Sequence, residues 1–207
     1  MDKDTIGLLV HSYNNYLAGM MGFTELSLME VENEEVKDRL ELSLASGKEA
    51  VVFGKQLLSM ISRLQAQFKP VDLVPILKEI ANGNGFSFET ELSKAEVASD
   101  VQWFWYCLES LCRFCRAFSP ECQLCFRLTQ EEKHFYLQLE SAGVSFNEEQ
   151  KTKLFEPFYS SRMLLGSKDV GLAFIKGFVE QMKGRLEWRE EQGFEFYLPL
   201  FEEKGSV

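Results

Sequence analysis

Two histidines occur in the 207 residues, and only one stands where an imidazole could do chemistry. His134 lies among alternating residues beside Glu131, Glu132 and Lys133, and reads as an exposed strand residue near a turn. His11 sits in a segment whose apolar residues Ile6, Val10, Tyr13, Leu17, Met20, Thr24 and Leu28 recur every three or four positions. At about 100° per residue this stripe centres near Tyr13 and Leu17, which turns His11 roughly 135° away, toward solvent. Asn15 lies one turn on and points the same way, and Ala18, Gly19 and Gly22 continue the flank. Mid-helix glycines cost about 1 kcal/mol each relative to alanine. A bare patch beside an exposed imidazole leaves room for close approach by another protein. The neutral ring has a free nitrogen for nucleophilic attack near neutral pH. On position alone, a plain surface histidine with glycines for helix packing is the open alternative.

Five cysteines, Cys107, Cys112, Cys115, Cys122 and Cys125, include two C-x-x-C pairs six residues apart, so zinc is a candidate ligand. The first pair lies in an apolar, aromatic run and the gap is short for a zinc ribbon. Free thiols in a reducing compartment, and no bound metal, are therefore expected.

The elements that must position His11 follow from periodicity. No proline occurs in the first 69 residues. Two long helices are expected there, from Asp4 to Val31 and from Glu34 to Phe68, the second stopped by Pro70 and started by Asn33 as N-cap. The second helix carries the stripe Val36, Leu40, Leu44, Gly47, Val51, Gly54, Leu58 and Ile61. A short break between long helices predicts an antiparallel hairpin. A lone hairpin cannot enclose a core, so a homodimeric four-helix bundle is expected. From Val71 the pattern becomes α+β. Helices are predicted at Val71–Ala81, Gln102–Phe118, Asn147–Leu154 and Val170–Met182, with a turn at Gly83-Asn84-Gly85. Strands are predicted at Phe86–Thr90, Gln123–Thr129, His134–Glu140, Arg185–Arg189 and Phe194–Leu198, as a mixed sheet with helices on one face. The domains are read as 1–69, the helical hairpin, and 70–207, the α+β sandwich, with the tail 202–207 frayed.

Lys and Arg number 22 against 32 Asp and Glu, a net charge of −10 that argues against nucleic acid as a partner. No apolar stretch is long enough for a membrane span, and the charged opening Met1-Asp2-Lys3-Asp4 is not a signal peptide, so a cytoplasmic location is expected.

The string from His11 to Leu26, H-S-Y-N-N-Y-L-A-G-M-M-G-F-T-E-L, resembles the H box of bacterial two-component histidine kinases. It is closest to the group reading H-D-x-N-N-x-L with a G-[FY]-x-E-L ending. The second half is similar to the ATP-binding domain of the same family. Leu154 to Ser161, L-F-E-P-F-Y-S-S, matches I-F-E-P-F-F-[ST]-[ST], and Gly171 to Leu186 matches G-L-S-I-V-x-x-I-V-x-x-H-G-G-x-I. The resemblance implies a dimeric hairpin whose histidine, here His11, carries a phosphoryl group, followed by a domain of the kinase ATPase fold.

Several positions depart from the family pattern. The aspartate that bonds adenine in D-x-G-x-G is replaced by Ser141, in Ser141-Ala142-Gly143-Val144-Ser145. Metal- and phosphate-binding asparagines of the N box align with Ser110 and Phe114. The second glycine box, G-x-G-L-G-L, reads Ser167-Lys168-Asp169-Val170-Gly171-Leu172, where Asp169 would repel phosphate. The acid that follows the histidine in the family is Ser12, whose hydroxyl is no base at neutral pH. Asn15 keeps the polar position used in the family to hydrolyse a partner's phosphoaspartate.

The resemblance with its departures implies a histidine phosphotransferase of a phosphorelay. Phosphate would pass between response-regulator receiver domains through His11, with no cofactor of its own and Mg2+ supplied by the receiver. Three alternatives stand beside it: a receiver phosphatase using Asn15, a pseudokinase that sequesters a receiver, and a working ATP-dependent kinase with an aberrant site.

Overall fold

The computed structural model describes residues 3–164 and 169–201. The chain divides between Leu64 and Gln65 into two compact units, where the sequence pattern had placed the change at 69/70. Unit 1 is an antiparallel hairpin of α1 (Lys3–Glu30) and α2 (Glu34–Met60). The Asn33 side chain accepts from the Val36 amide at 3.1 Å and starts α2, as expected of that residue.

The inner seam is narrower than the stripes predicted. Val10 is buried and Asn14, Leu17, Met21, Thr24 and Leu28 are half-buried, facing Leu40, Leu44, Gly47, Val51 and Gly54. Tyr13, Met20 and Val36, counted into the stripes, are exposed at 40%, 66% and 41%. α1 is apolar on more than one side, and periodicity alone does not say which side meets α2. The helices approach closest at two glycines. A Cβ on Gly54 would stand 2.6 Å from the Asn14 Oδ1, and one on Gly47 would stand 2.8 Å from the Met21 Cγ. The Asn14 Oδ1 is buried there without a hydrogen-bond partner.

α2 ends eight residues before the expected Phe68. The Ser62 amide bonds the Ser59 carbonyl at 2.8 Å and the Arg63 amide bonds the Leu58 carbonyl at 2.8 Å, with Ser62 left-handed at φ 58°. This is the paired-bond helix stop that normally carries glycine, so serine hid it from sequence reading.

Unit 2 is a five-stranded mixed sheet covered on one face by helices, as expected. The strands are β2 (Ser87–Thr90), β4 (Gln123–Glu131), β5 (His134–Ala142), β6 (Arg185–Arg189) and β7 (Gly193–Pro199). Their order is β2-β4-β5-β7-β6, with only the β2–β4 pair parallel. The core faces of β4, β5 and β7 present Phe126, Leu137 and Phe196 to the buried Leu77 of α3 (Leu73–Asn84), Leu108 of α4 (Val101–Phe118) and Phe178 of α7 (Ala173–Gln181). Two strands were not anticipated: β1 (Lys69–Asp72) pairs antiparallel with β3 (Glu96–Ser99) as a separate ribbon. Pro70 and the helical look of Val71 masked β1, and the first helix of the unit starts at Leu73, capped by Asp72. That helix also absorbs Gly83 and Asn84 of the expected turn and stops at Gly85, φ 69°. α5 (Glu148–Lys153) begins with a reciprocal Asn147–Gln150 capping box, α6 (Tyr159–Arg162) is a single turn, and α7 starts three residues after the expected Val170. Ser167 and Lys168, the opening Met1-Asp2 and the tail 202–207 lie outside the described residues. No described helix is long and apolar enough to cross a membrane.

Gly54→Leu should destabilise the hairpin by about 1–3 kcal/mol, because the Asn14 amide occupies the space. Gly19→Leu, with nothing within 4 Å of its Cβ position, should leave stability unchanged or slightly raised. Urea titration followed by helical circular dichroism separates the two variants.

Candidate functional site

Two constellations carry the residues singled out by the sequence, one in each unit. In unit 1, α1 holds His11 with its ring exposed, as the period predicted. One turn on, the Asn15 amide lies 3.2 Å from the His11 Nδ1, the only side-chain partner of the imidazole among the described residues. Amide and ring are exposed, and the contact helps orient the ring. The atom of Asn15 that faces the ring is the amide nitrogen, so Asn15 donates and Nδ1 accepts. Ser12 is exposed and makes no bond to the ring. Ala18 and Gly19 are exposed, Gly22 is half-buried, and no atom lies within 4 Å of a Cβ built on either glycine. His11, Asn15, Gly19 and Gly22 thus form one open flank, and the expected bare patch is present.

In unit 2, a cavity of about 260 Å3 lies between α4, α6 and the start of α7. It brings together Ser110, Phe114 and Asp169, three of the five positions aligned with nucleotide contacts, beside Gly171. The other two lie elsewhere. Ser141 is buried on β5, with its hydroxyl unpartnered and only 3.0 Å from a Cβ built on Gly193, and Ser145 is exposed in the following loop.

The donor set at Ser110 and Phe114 does not fit a magnesium ion. Phe114 has no donor atom, and its ring stacks on Phe118 at 5.9 Å and lies 6.2 Å from Phe146. The Ser110 hydroxyl accepts from the Arg113 guanidinium at 3.1 Å. The aromatic series continues through Phe146–Trp188 at 4.7 Å and Trp188–Phe194 at 4.8 Å. The backbone donors of the glycine turn are also engaged. Asp169 Oδ1 accepts from the Gly171 amide at 2.8 Å, and Ser160 Oγ accepts from the Leu172 amide at 2.6 Å. Asp169 was read as repelling phosphate. Its carboxylate also takes a backbone donor that an anion would need. Sequence reading gave no role to Ser160, although it lies inside the quoted L-F-E-P-F-Y-S-S string, or to Arg113, three residues after Ser110.

His134 is half-buried at the β4–β5 turn, 2.8 Å from Glu131, away from every cavity residue named above. Cys107, Cys112 and Cys115 are buried on α4, and burial pushes their thiols up, Cys112 to about 12 with help from Glu109. Cys122 is raised more modestly, and no group of three or more His, Cys, Asp or Glu among the described residues is placed to hold a metal ion.

Residues 104–204 match the family described as histidine kinase-, DNA gyrase B-, and HSP90-like ATPase. Among solved structures, full-length ShkA in complex with AMPPNP superposes with TM-score 0.67 at 16% identity, over 97% of this chain and 46% of that one. This chain therefore spans less than half the length of that kinase. The Acinetobacter baumannii histidine kinase AdeS gives TM-score 0.58 at 15% identity over 90% and 96%. Histidine kinase ThkA, in its complex with the response regulator protein TrrA, gives 0.57 at 16% over 94% and 60%. Identities this low speak to the fold alone: a helical hairpin followed by a histidine kinase-like ATPase domain.

Brief alkylation of the native protein with iodoacetamide at pH 8 should modify Cys122 and Cys125 well before the three thiols of α4, because only thiolate reacts and burial suppresses it. Peptide mass spectrometry reads the order, and early labelling of Cys112 would show an open helix.

Proposed function

We propose that this chain, whose second unit carries a histidine kinase-like ATPase domain, is a histidine phosphotransferase that relays phosphoryl groups between response-regulator receiver domains through His11. The observation that carries the proposal is the exposed His11 ring held by Asn15 at 3.2 Å on a helix flank cleared by Gly19 and Gly22. In the transfer, an unprotonated imidazole nitrogen of His11 attacks the phosphorus of an aspartyl phosphate in line. An N–P bond forms, the P–O bond to the aspartate breaks, and the carboxylate leaves with its electron pair. The other ring nitrogen gives up its proton to water when the phosphohistidine is neutral. The receiver supplies Mg2+ and its own acidic pocket, so this side contributes position and an open approach.

The engaged amides at Gly171 and Leu172 and the donor-free Phe114 support a chain that receives its phosphate from a receiver and not from ATP. The complex of ThkA with TrrA gives a fold-level precedent for a receiver as partner.

Label from a phosphorylated receiver should appear on this protein as an acid-labile, alkali-stable adduct. His11→Gln should abolish it without unfolding, since an exposed helical site tolerates glutamine. Gly19→Leu should weaken transfer by obstructing approach, and Asn15→Ala should chiefly slow loss of phosphate to water. Label retained by the His11→Gln protein would move the site elsewhere. Free phosphate without an adduct would favour the Asn15-dependent phosphatase. A receiver that binds but keeps its label would mean sequestration.

The hairpin is proposed to pair with a second copy. Tyr16, Met20 and Phe23 are 76%, 66% and 75% exposed on one side of α1, an apolar strip that a monomer would leave in water. Wild type should sediment as a dimer at micromolar concentration. Met20→Glu combined with Phe23→Glu should give a folded monomer, because neither residue faces α2. A wild-type monomer would contradict the bundle.

A further inference from the structure

Each residue of the His11 flank stands one place after a residue of the hairpin seam. His11 follows the buried Val10, Asn15 follows Asn14, Ala18 follows Leu17 and Gly22 follows Met21. One residue is a turn of about 100°, so these four share one side of α1. On α2 the same step leads twice to lysine: Lys48 follows Gly47, and Lys55 follows the buried Gly54. Two antiparallel right-handed helices, viewed from one end, advance in opposite senses. One step off the seam therefore carries both helices to the same side of the hairpin, which places Lys48 and Lys55 on the flank of His11.

Their height follows from the two glycine contacts. Asn14 packs over Gly54 and Met21 over Gly47, seven residues apart on each helix. On that register Lys55 stands level with Tyr13, within one turn of both His11 and Asn15. Lys48 stands about 10 Å further along, toward the turn of the hairpin. In the other direction the flank is bridged by Arg63, which pairs with Asp4, seven residues before His11.

Both lysines are exposed and uncommitted. Elsewhere on α2, Lys37 pairs with Glu34 and Arg39 with Glu35 at helical spacing. No Asp or Glu stands three or four residues to either side of Lys48 or Lys55. Neither ammonium has an ion pair or hydrogen bond among the described residues. In a chain of net charge −10, two unanswered cations thus lie on the flank that holds the exposed imidazole.

We propose that Lys55 binds the phosphoryl group as it arrives at His11. Its ammonium stays protonated and meets the non-bridging oxygens, first of the transferring group and then of the phosphohistidine. A lysine on its flexible stem serves such a dianion as a point charge. Lys48 is the same cation on the same side, but it stands too far along the helix to touch the group and acts only through a screened field. The inference rests on the proposal above that His11 takes phosphate, and adds the residue that offsets its charge.

A test free of any receiver uses potassium phosphoramidate, which phosphorylates an exposed imidazole with loss of ammonia. Phosphorus-31 NMR of the full chain follows the phosphohistidine resonance, assigned by its absence from His11→Gln, through a pH titration. An ammonium in contact favours the dianion and lowers the pKa of the phosphoryl group. Lys55→Gln should raise the midpoint by about half a pH unit, the scale of one charge at contact distance in water. Lys55→Arg should keep the wild-type midpoint, and Lys48→Gln should move it by less than about 0.1 unit in about 0.1 M salt. With a saturating phosphorylated receiver, Lys55→Gln should slow labelling of His11 about tenfold, and Lys55→Arg should restore most of the rate. An unchanged midpoint in Lys55→Gln overturns the inference. So does an equal shift in Lys48→Gln, because the charge would then act from a distance. A Lys55-dependent midpoint in a protein that takes label from no receiver would uphold the phosphoryl contact and remove the relay reading instead.

Discussion

The close contact of α1 and α2 at Gly47 and Gly54 is the constraint on which the His11 site depends. With no Cβ at either position, the Met21 and Asn14 side chains fit directly over the α2 backbone. That contact fixes which side of α1 is spent on the hairpin. Val10, Leu17, Met21 and Leu28 face inward, and at about 100° per residue His11 and Asn15 then fall on a flank that α2 cannot cover. Tyr16, Met20 and Phe23 fall on a third side. One helix thereby presents three sides: one to its hairpin mate, one apolar and exposed, and one carrying His11 and Asn15. Rotating α1 by a single position would bury the imidazole or break the apolar strip.

Unit 2 has the layered architecture of a histidine kinase-like ATPase domain. Asp169 and Ser160 bond the amides ahead of α7, and Phe114 joins an aromatic series that reaches Trp188 and Phe194. The fold does not depend on a nucleotide, because its core is the apolar faces of β4, β5 and β7 packed under α3, α4 and α7. The sheet can therefore stand with or without a working nucleotide site.

The hairpin, the exposed position of His11 and the sheet with one helical face were legible in the sequence, because each is carried by a period of 3.6 or 2 extending over many residues. Local exceptions were not. Ser62 ends α2 in a left-handed conformation that glycine would have advertised. The β1–β3 ribbon is four residues long on each side and contains Pro70. Tyr13 and Met20 looked like seam residues because they share the apolar character of Leu17, and only the partner helix distinguishes them. At the site, residue types and spacing singled out His11, Asn15 and Asp169 as candidates. The bond from Ser160 to the Leu172 amide and the shared cavity of Arg113 and Asp169 depend on contacts between segments far apart in sequence, which spacing does not encode.

The central claim is that phosphate reaches His11 from an acyl phosphate. Phosphorus-31 NMR of the wild-type protein mixed with a phosphorylated receiver and Mg2+, with no nucleotide present, observes the bond itself. The account predicts that the acyl-phosphate resonance decays as a phosphoramidate resonance of imidazole grows, and that the new signal vanishes on acidification. Decay of the acyl phosphate directly into inorganic phosphate, or a phosphoramidate that forms only when ATP is added, would contradict it.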